Sequence, residues 1–144
     1  MLFLSIKPKY VKKILDGEKR VELRRRKPRS VPGDWIAIYA TIPSKSLVAV
    51  AQISEIKVSS PQLLWGRVKH DAGVEKHEYD EYFQGANQAV GIVIIQPKML
   101  FRPLPLDELR VMWPQFNPPQ GFLYLSDQQT QQIFGFIDER RRAA

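Results

Sequence analysis

Within six residues, Lys19, Glu22 and Arg24 bring together an ammonium, a carboxylate and a guanidinium. Such a set handles anions. A guanidinium grips phosphate as a bidentate fork, an ammonium adds a point charge, and a carboxylate accepts protons or orients the lysine. In a catalytic setting Lys19 would stabilise developing negative charge, and Glu22 would act as base or hold a metal. The same residues also suit a surface ion-pair ladder, which contributes little energy. Ser5 and Lys7, one inward–outward strand period apart, are candidates for the same cleft, and Tyr39 is a candidate platform for an unpaired base. Arg25, Arg26 and Arg29, with Lys27, crowd like charges that repel one another unless an anion offsets them. His70, Asp71, Glu75, His77 and Glu78 have ligand-type side chains but match no recognised metal spacing, so no metal site is expected from them. Cysteine is absent, which excludes disulfides, thiolate catalysis and cysteine-held zinc.

The charge around these residues is polarised. The chain of 144 residues carries a formal charge of +7, and eleven of its 22 lysines and arginines lie between Lys7 and Arg29. The acidic residues gather elsewhere, notably at Asp71, Glu75, Glu78, Asp80 and Glu81. A basic surplus of this kind suits a polyanionic partner. An apolar content of 44% and a charged content of 26% fit a globular domain. The length fits one domain spanning residues 1–144, with a helix appended at about 127–142. No apolar run approaches the roughly 20 residues that span a bilayer, and Lys7 follows the short apolar start in the reverse order of a secretory leader. A cytoplasmic protein without a membrane partner is expected.

These residues need elements to position them. Leu2 to Ile6 reads as a strand, and Pro8 opens a helix that Gly17 stops, burying Val11, Ile14 and Leu15 and turning Lys9, Lys12 and Lys13 to water. From Arg20 to Arg24 the alternation predicts a half-buried strand, with Val21 and Leu23 on one face and Glu22 and Arg24 on the other. Strict alternation turns Lys19 away from Glu22, so either Lys19 sits in the turn after Gly17 or the strand is bulged. Arg25 to Gly33 reads as an exposed basic loop. Strands follow at Asp34–Thr41 and Leu47–Val58, then a helix capped by Ser60-Pro61 and a shorter one at Lys76–Phe83. Ala89 to Gln96 predicts a doubly buried strand ended by Pro97. A proline-rich stretch comes next, with a helical turn at Leu106–Leu109. Ser126 and Gln129 then form a capping box for a last helix, with Ile133, Phe134 and Ile137 on one side and Arg140 to Arg142 at its end. The irregular mixture of strands and helices predicts an α+β fold with a mostly antiparallel, curled sheet or barrel.

Several of these pieces, in this order, resemble the ASCH (activating signal cointegrator homology) domain, a branch of the PUA-like β-barrels. Leu4 to Pro8 (LSIKP) leads into the helix ending at Gly17. Gly17-Glu18-Lys19-Arg20-Val21-Glu22-Leu23-Arg24 then matches the family pattern G-x-K-x-x-E-x-R. Tyr39-Ala40-Thr41 is the third stretch that resembles the domain, while Ser60-Pro61 with Leu64-Trp65, Tyr82-Phe83, Pro103-Leu104 and Pro118-Pro119-Gln120 with Phe122 and Tyr124 look like stand-alone prokaryotic members. The resemblance implies a barrel with helices over its ends and a cleft lined by the pattern. It also implies RNA as partner. Some members cleave single-stranded RNA with divalent metal, and one branch hydrolyses acetylated cytidine with a lysine and a threonine three residues on. Lys19 matches that lysine, but Glu22 stands where the threonine would be.

Two function classes follow. One is an RNA-binding module in translation or transcript control, contacting RNA through Ser5, Lys7, Lys19, Arg24, Arg25, Arg26, Arg29 and Tyr39. The other is a ribonuclease in the same cleft, with Lys19 and Glu22 catalytic and Mg²⁺ or Mn²⁺ as its metal; a nucleoside amidohydrolase ranks below it. The lack of a histidine near the pattern favours binding over catalysis at this level. The proline-rich Pro114–Pro119 segment leaves room for a protein partner or a homo-oligomer.

Overall fold

The computed structural model describes residues 1–137. The chain runs β1 (Leu2–Ile6), α1 (Pro8–Leu15), β2 (Val21–Arg24), β3 (Trp35–Ala40), β4 (Ser46–Ser59), α2 (Pro61–Val68), α3 (Lys76–Tyr82), β5 (Ala89–Pro105), α4 (Leu106–Met112), β6 (Phe122–Tyr124) and α5 (Asp127–Phe134). The strands form one curled six-stranded sheet in the order β2-β5-β4-β3-β1-β6. Only β1 and β3 pair in parallel; the other neighbours are antiparallel. This is the α+β, mostly antiparallel curled sheet that the pattern of elements implies, in the half-barrel form that the resemblance leads one to expect. No helix among the described residues is long and apolar enough to cross a membrane.

Alternation along β1 explains how the layers form. Leu2, Leu4 and Ile6 join Ile36, Ile38, Ile92 and the α1 residues Val11 and Ile14 in one core. Phe3 points the other way, into a second core with Tyr39, Leu104, Leu109 of α4 and Trp113 just after that helix. Val21 and Leu23 of β2 join a third, with Leu64 and Val68 of α2 and Tyr79 and Phe83 beside them. Trp65 packs at a tilt against Tyr79, and Trp113 and Trp35 meet Phe116 and Phe134 edge to face, so all three tryptophans pack.

Three local expectations change, and one left open between two alternatives is resolved. The β2 strand is buried on both faces rather than one, because Glu22 and Arg24 point into the fold instead of toward solvent. Lys19 precedes the strand, in the turn after Gly17, which resolves its orientation without a bulge within β2. The strand at Ala89 does not stop at Pro97. It continues to Pro105, its register against β4 shifting where Gln96 adopts φ 53°. A shift of that kind lets a strand absorb a proline and bend. The last helix ends at Phe134, well short of 142, and Arg140 to Arg142 lie outside the described residues.

Candidate functional site

The sheet is open between its outer strands, β2 and β6, and the charged residues of β2 lie at that opening. Arg24 donates from one guanidinium nitrogen to the Ser5 carbonyl of β1 at 2.9 Å and from the other to the Gly121 carbonyl, just before β6, at 3.0 Å. It also donates to Glu22 Oε2 at 2.7 Å. The other Glu22 oxygen faces Lys19 Nζ at 3.5 Å. Lys19 in turn donates to the Ala72 carbonyl at 2.5 Å and lies 5.1 Å from the centre of the Tyr10 ring. The three side chains are only 2%, 6% and 8% exposed for Lys19, Glu22 and Arg24. They are therefore no surface ladder but a buried cation–anion–cation chain. A chain of this kind is costly to desolvate, and breaking it leaves an uncompensated charge.

Electrostatics distinguishes the members. Burial drives the Lys19 ammonium below the usual lysine value, with Glu22 pulling back and Arg24 and Lys13 adding to the fall. Burial pushes Glu22 upward, but Arg24 and Lys19 outweigh it and hold the carboxyl below its ordinary value. Glu22 thus stays ionised and keeps both oxygens engaged, which makes it a poor proton acceptor. Lys19 is the member whose proton is most easily moved. Arg24 spends its charge on Glu22 and two carbonyls, so the expected phosphate fork is already occupied. Its Nε is buried without a partner, as is the Ser5 hydroxyl.

Above this chain lies a cleft of about 1270 Å³. Its walls include Ser5, Lys7, Tyr10, Lys19, Glu22, Arg24, Tyr39, Glu78, Tyr82 and the Pro118-Pro119-Gln120 segment. The structure thus brings Ser5, Lys7, Lys19, Glu22, Arg24 and Tyr39 to one place. Tyr39 is 3% exposed and packs against Phe3 with ring centres 5.5 Å apart, so only part of it is available as a platform. Arg25 is exposed and caps the Tyr82 and Gln84 carbonyls, while Arg26 and Arg29 lie away from the cleft, over Phe122 and Tyr124.

Two contributors were not singled out by residue type. Tyr10 donates its hydroxyl to Glu78 Oε2 at 2.7 Å, joining α1 to α3 across the cleft. That bond, with the Glu75 N–H at 3.1 Å, holds the Glu78 carboxyl down at about 2. Tyr82 is the other. Burial raises its hydroxyl, and Arg24 and Glu22 both act on it, which places it over the charged chain. Only the Tyr82-Phe83 pair, as a family feature, hinted at it.

The donor set does not suit a protein-held divalent ion. Glu22 is bound to two cations and Glu78 to Tyr10, Lys9 and a backbone N–H. Among the described residues no three His, Asp or Glu side chains are grouped to hold a metal.

The family model for the ASCH domain matches residues 4–100. An "ASCH domain-containing ribonuclease" from Zymomonas mobilis is 33% identical over 94% of this chain and 91% of its own length. The crystal structure of ASCH from Zymomonas mobilis superposes with a TM-score of 0.89 at 31% identity, covering 95% of each chain. The N-terminal domain of Staphylothermus marinus McrB shares the fold alone, with a TM-score of 0.57 at 12% identity over 93% of this chain and 92% of that one.

Proposed function

This chain belongs to the ASCH domain family, and from that premise we propose that it is a ribonuclease acting on single-stranded RNA in the cytoplasm. The observation that carries the reading is the buried lysine. A lysine kept 2% exposed and below its ordinary pKa, at the floor of a cleft of about 1270 Å³, is the kind of perturbed charge that marks a functional site, and its ammonium is a charge a phosphate can meet. Burial of this chain costs stability that a purely structural role would gain more cheaply from apolar residues. Similarity to a protein called a ribonuclease over nearly its whole length supports catalysis over a binding-only module in transcript or translation control.

In this reading RNA lies in the cleft with the scissile phosphate over Lys19. As the ribose 2′-oxygen attacks phosphorus and gives its proton to water, the bond to the 5′-oxygen breaks, and that oxygen leaves with a proton taken from water. The charge that accumulates on the non-bridging oxygens is met by the Lys19 ammonium. Glu22 and Arg24 are positioning residues: Glu22 fixes Lys19, and Arg24 fixes Glu22. Lys7 draws the strand in, and the Tyr82 ring, 42% exposed and over the cleft, stacks on a base. No step is routed through a metal, because Glu22 has no free oxygen for one. An amidohydrolase gains no support, since position 22 offers no hydroxyl.

The test is cleavage of labelled single-stranded RNA by purified protein, with chelator and with added Mg²⁺ or Mn²⁺. Lys19→Ala is expected to lower the rate by roughly 10²–10³-fold, the usual effect of removing a transition-state charge donor. Cleavage unchanged in Lys19→Ala would sink the assignment. Tight binding without cleavage by the wild type would return the protein to the binding class.

A further inference from the structure

The cleft does not end where the charged chain ends. Gln120 lines it, the Gly121 carbonyl is held by Arg24, and β6 then leads away along the sheet edge to Tyr124. Tyr124 lines a second cavity of about 440 Å³ together with Arg29, Asp34 and Trp35. Phe122 and Tyr124 are two residues apart on one strand, so they share a face. Their ring centres are 5.9 Å apart, edge to face. The basic loop lies over both rings. The Arg26 guanidinium is 5.5 Å from the Phe122 centre and that of Arg29 is 4.5 Å from the Tyr124 centre. The Arg29 backbone N–H also donates to the Tyr124 hydroxyl at 2.6 Å.

What holds this loop is as informative as where it lies. Among the described residues Arg25, Arg26, Lys27 and Arg29 form no ion pair with any carboxylate. Like charges this close are left without a counter-charge, and the aromatic faces only partly offset them. Arg26 and Arg29 are exposed, and Tyr124 is 38% exposed. Guanidinium and aromatic planes are the two surfaces on which unpaired bases stack, and the cations meet the phosphates between those bases. Together with the loop beside it, the segment from Gln120 through β6 offers a path of at most about 13 Å, the length of a fully extended chain of that size.

We infer that β6 and the Arg25–Arg29 loop form a single-strand track that carries the nucleotides flanking the scissile one from the cleft to the second cavity. The substrate is then an unpaired polynucleotide chain, and neither a free nucleotide nor a duplex. This rests on the ribonuclease reading only for which strand occupies the cleft.

Binding of 2′-O-methylated RNA, which resists cleavage by its own 2′-oxygen, tests the track directly. Fluorescence anisotropy would follow a labelled octanucleotide, and NMR shift titration a dinucleotide confined to the cleft. Tyr124→Ala, and the double variant Arg26→Ala/Arg29→Ala, are each expected to weaken the octanucleotide by about tenfold, in line with losing one stacked base. Both should leave the dinucleotide unchanged, which also reports an intact fold. Tyr124→Phe keeps the ring and loses only the bond from the Arg29 N–H, so it should weaken the octanucleotide far less than Tyr124→Ala does. Annealing the octanucleotide to its complement should erase the difference between wild type and variants. The track is overturned if octanucleotide affinity survives Tyr124→Ala, if both lengths weaken equally, or if the duplex behaves like the single strand. Failure of the ribonuclease reading is scored separately, as absence of cleavage of unmodified RNA.

Discussion

Glu22 is flanked by two cations that are almost wholly buried, so its charge is the one the site can least do without. Glu22→Gln is expected to destabilise the protein by about 3–5 kcal/mol, the cost of stranding buried charge, as read from urea unfolding midpoints. A negligible change would mean that water or an unseen anion already neutralises Lys19 and Arg24. The lowered Lys19 value adds a kinetic signature. As a cation, Lys19 works below its own pKa and fails above it, so kcat/KM should fall with rising pH before an ordinary lysine at 10.5 would titrate. Glu22 is the group that holds the ammonium up, so Glu22→Gln should move this basic limb to still lower pH. A limb that stays in place would show that another group titrates. The types and proximity of Lys19, Glu22 and Arg24 were plain in the sequence. Their roles were not, because they depend on a carbonyl at Ala72, 53 positions from Lys19, and on Ser5 and Gly121.

At the scale of elements, the turn after α2 is the part that presents Lys19. Ala72 gives its carbonyl to Lys19 and Gly73 gives its own to Lys13 at 2.9 Å, so the turn grips both. Gly73 adopts φ +65°, and a Cβ there would come within 2.8 Å of Lys19 Cβ. Gly73→Ala should therefore cost about 1–2 kcal/mol in backbone strain alone. By displacing Lys19 it should lower kcat more than it raises KM. Gly66→Ala, where an added Cβ meets nothing within 4 Å, is the matching control and should leave kinetics unchanged. Equal behaviour of the two variants would refute the gripping role. Elements with strong local signals were legible: the capped helices at Ser60-Pro61 and Ser126, and the first strand with its proline-started helix. Those decided by distant pairing were not. β6 has three residues and exists because β1 offers it an edge, and β5 runs through Pro97 because β4 continues beside it.

At the scale of the whole molecule, the cations between Lys7 and Arg29 divide among a buried pair at the seam, the exposed Lys7, Lys9 and Lys12, and an exposed loop beside the seam. The crowd of cations between Lys7 and Arg29 looks uniform in the sequence, yet burial separates its members into structure and surface. The most consequential feature is that seam, where no strand pairing joins β2 to β6 and the Arg24 side chain spans the gap. Chemistry and closure of the half-barrel thus draw on the same charged groups. By mass action, a strand that binds only the closed form must tighten the fold, by about 2.7 kcal/mol when present at 100 times its Kd. Non-cleavable RNA should accordingly raise the Tm of the wild type. It should raise the Tm of Arg24→Met less, because that variant can no longer join occupancy to closure. Equal rises would uncouple the two. Under the proposed function, a bound strand would thus act in thermodynamic terms as a further partner at the junction that the chain alone spans with one guanidinium.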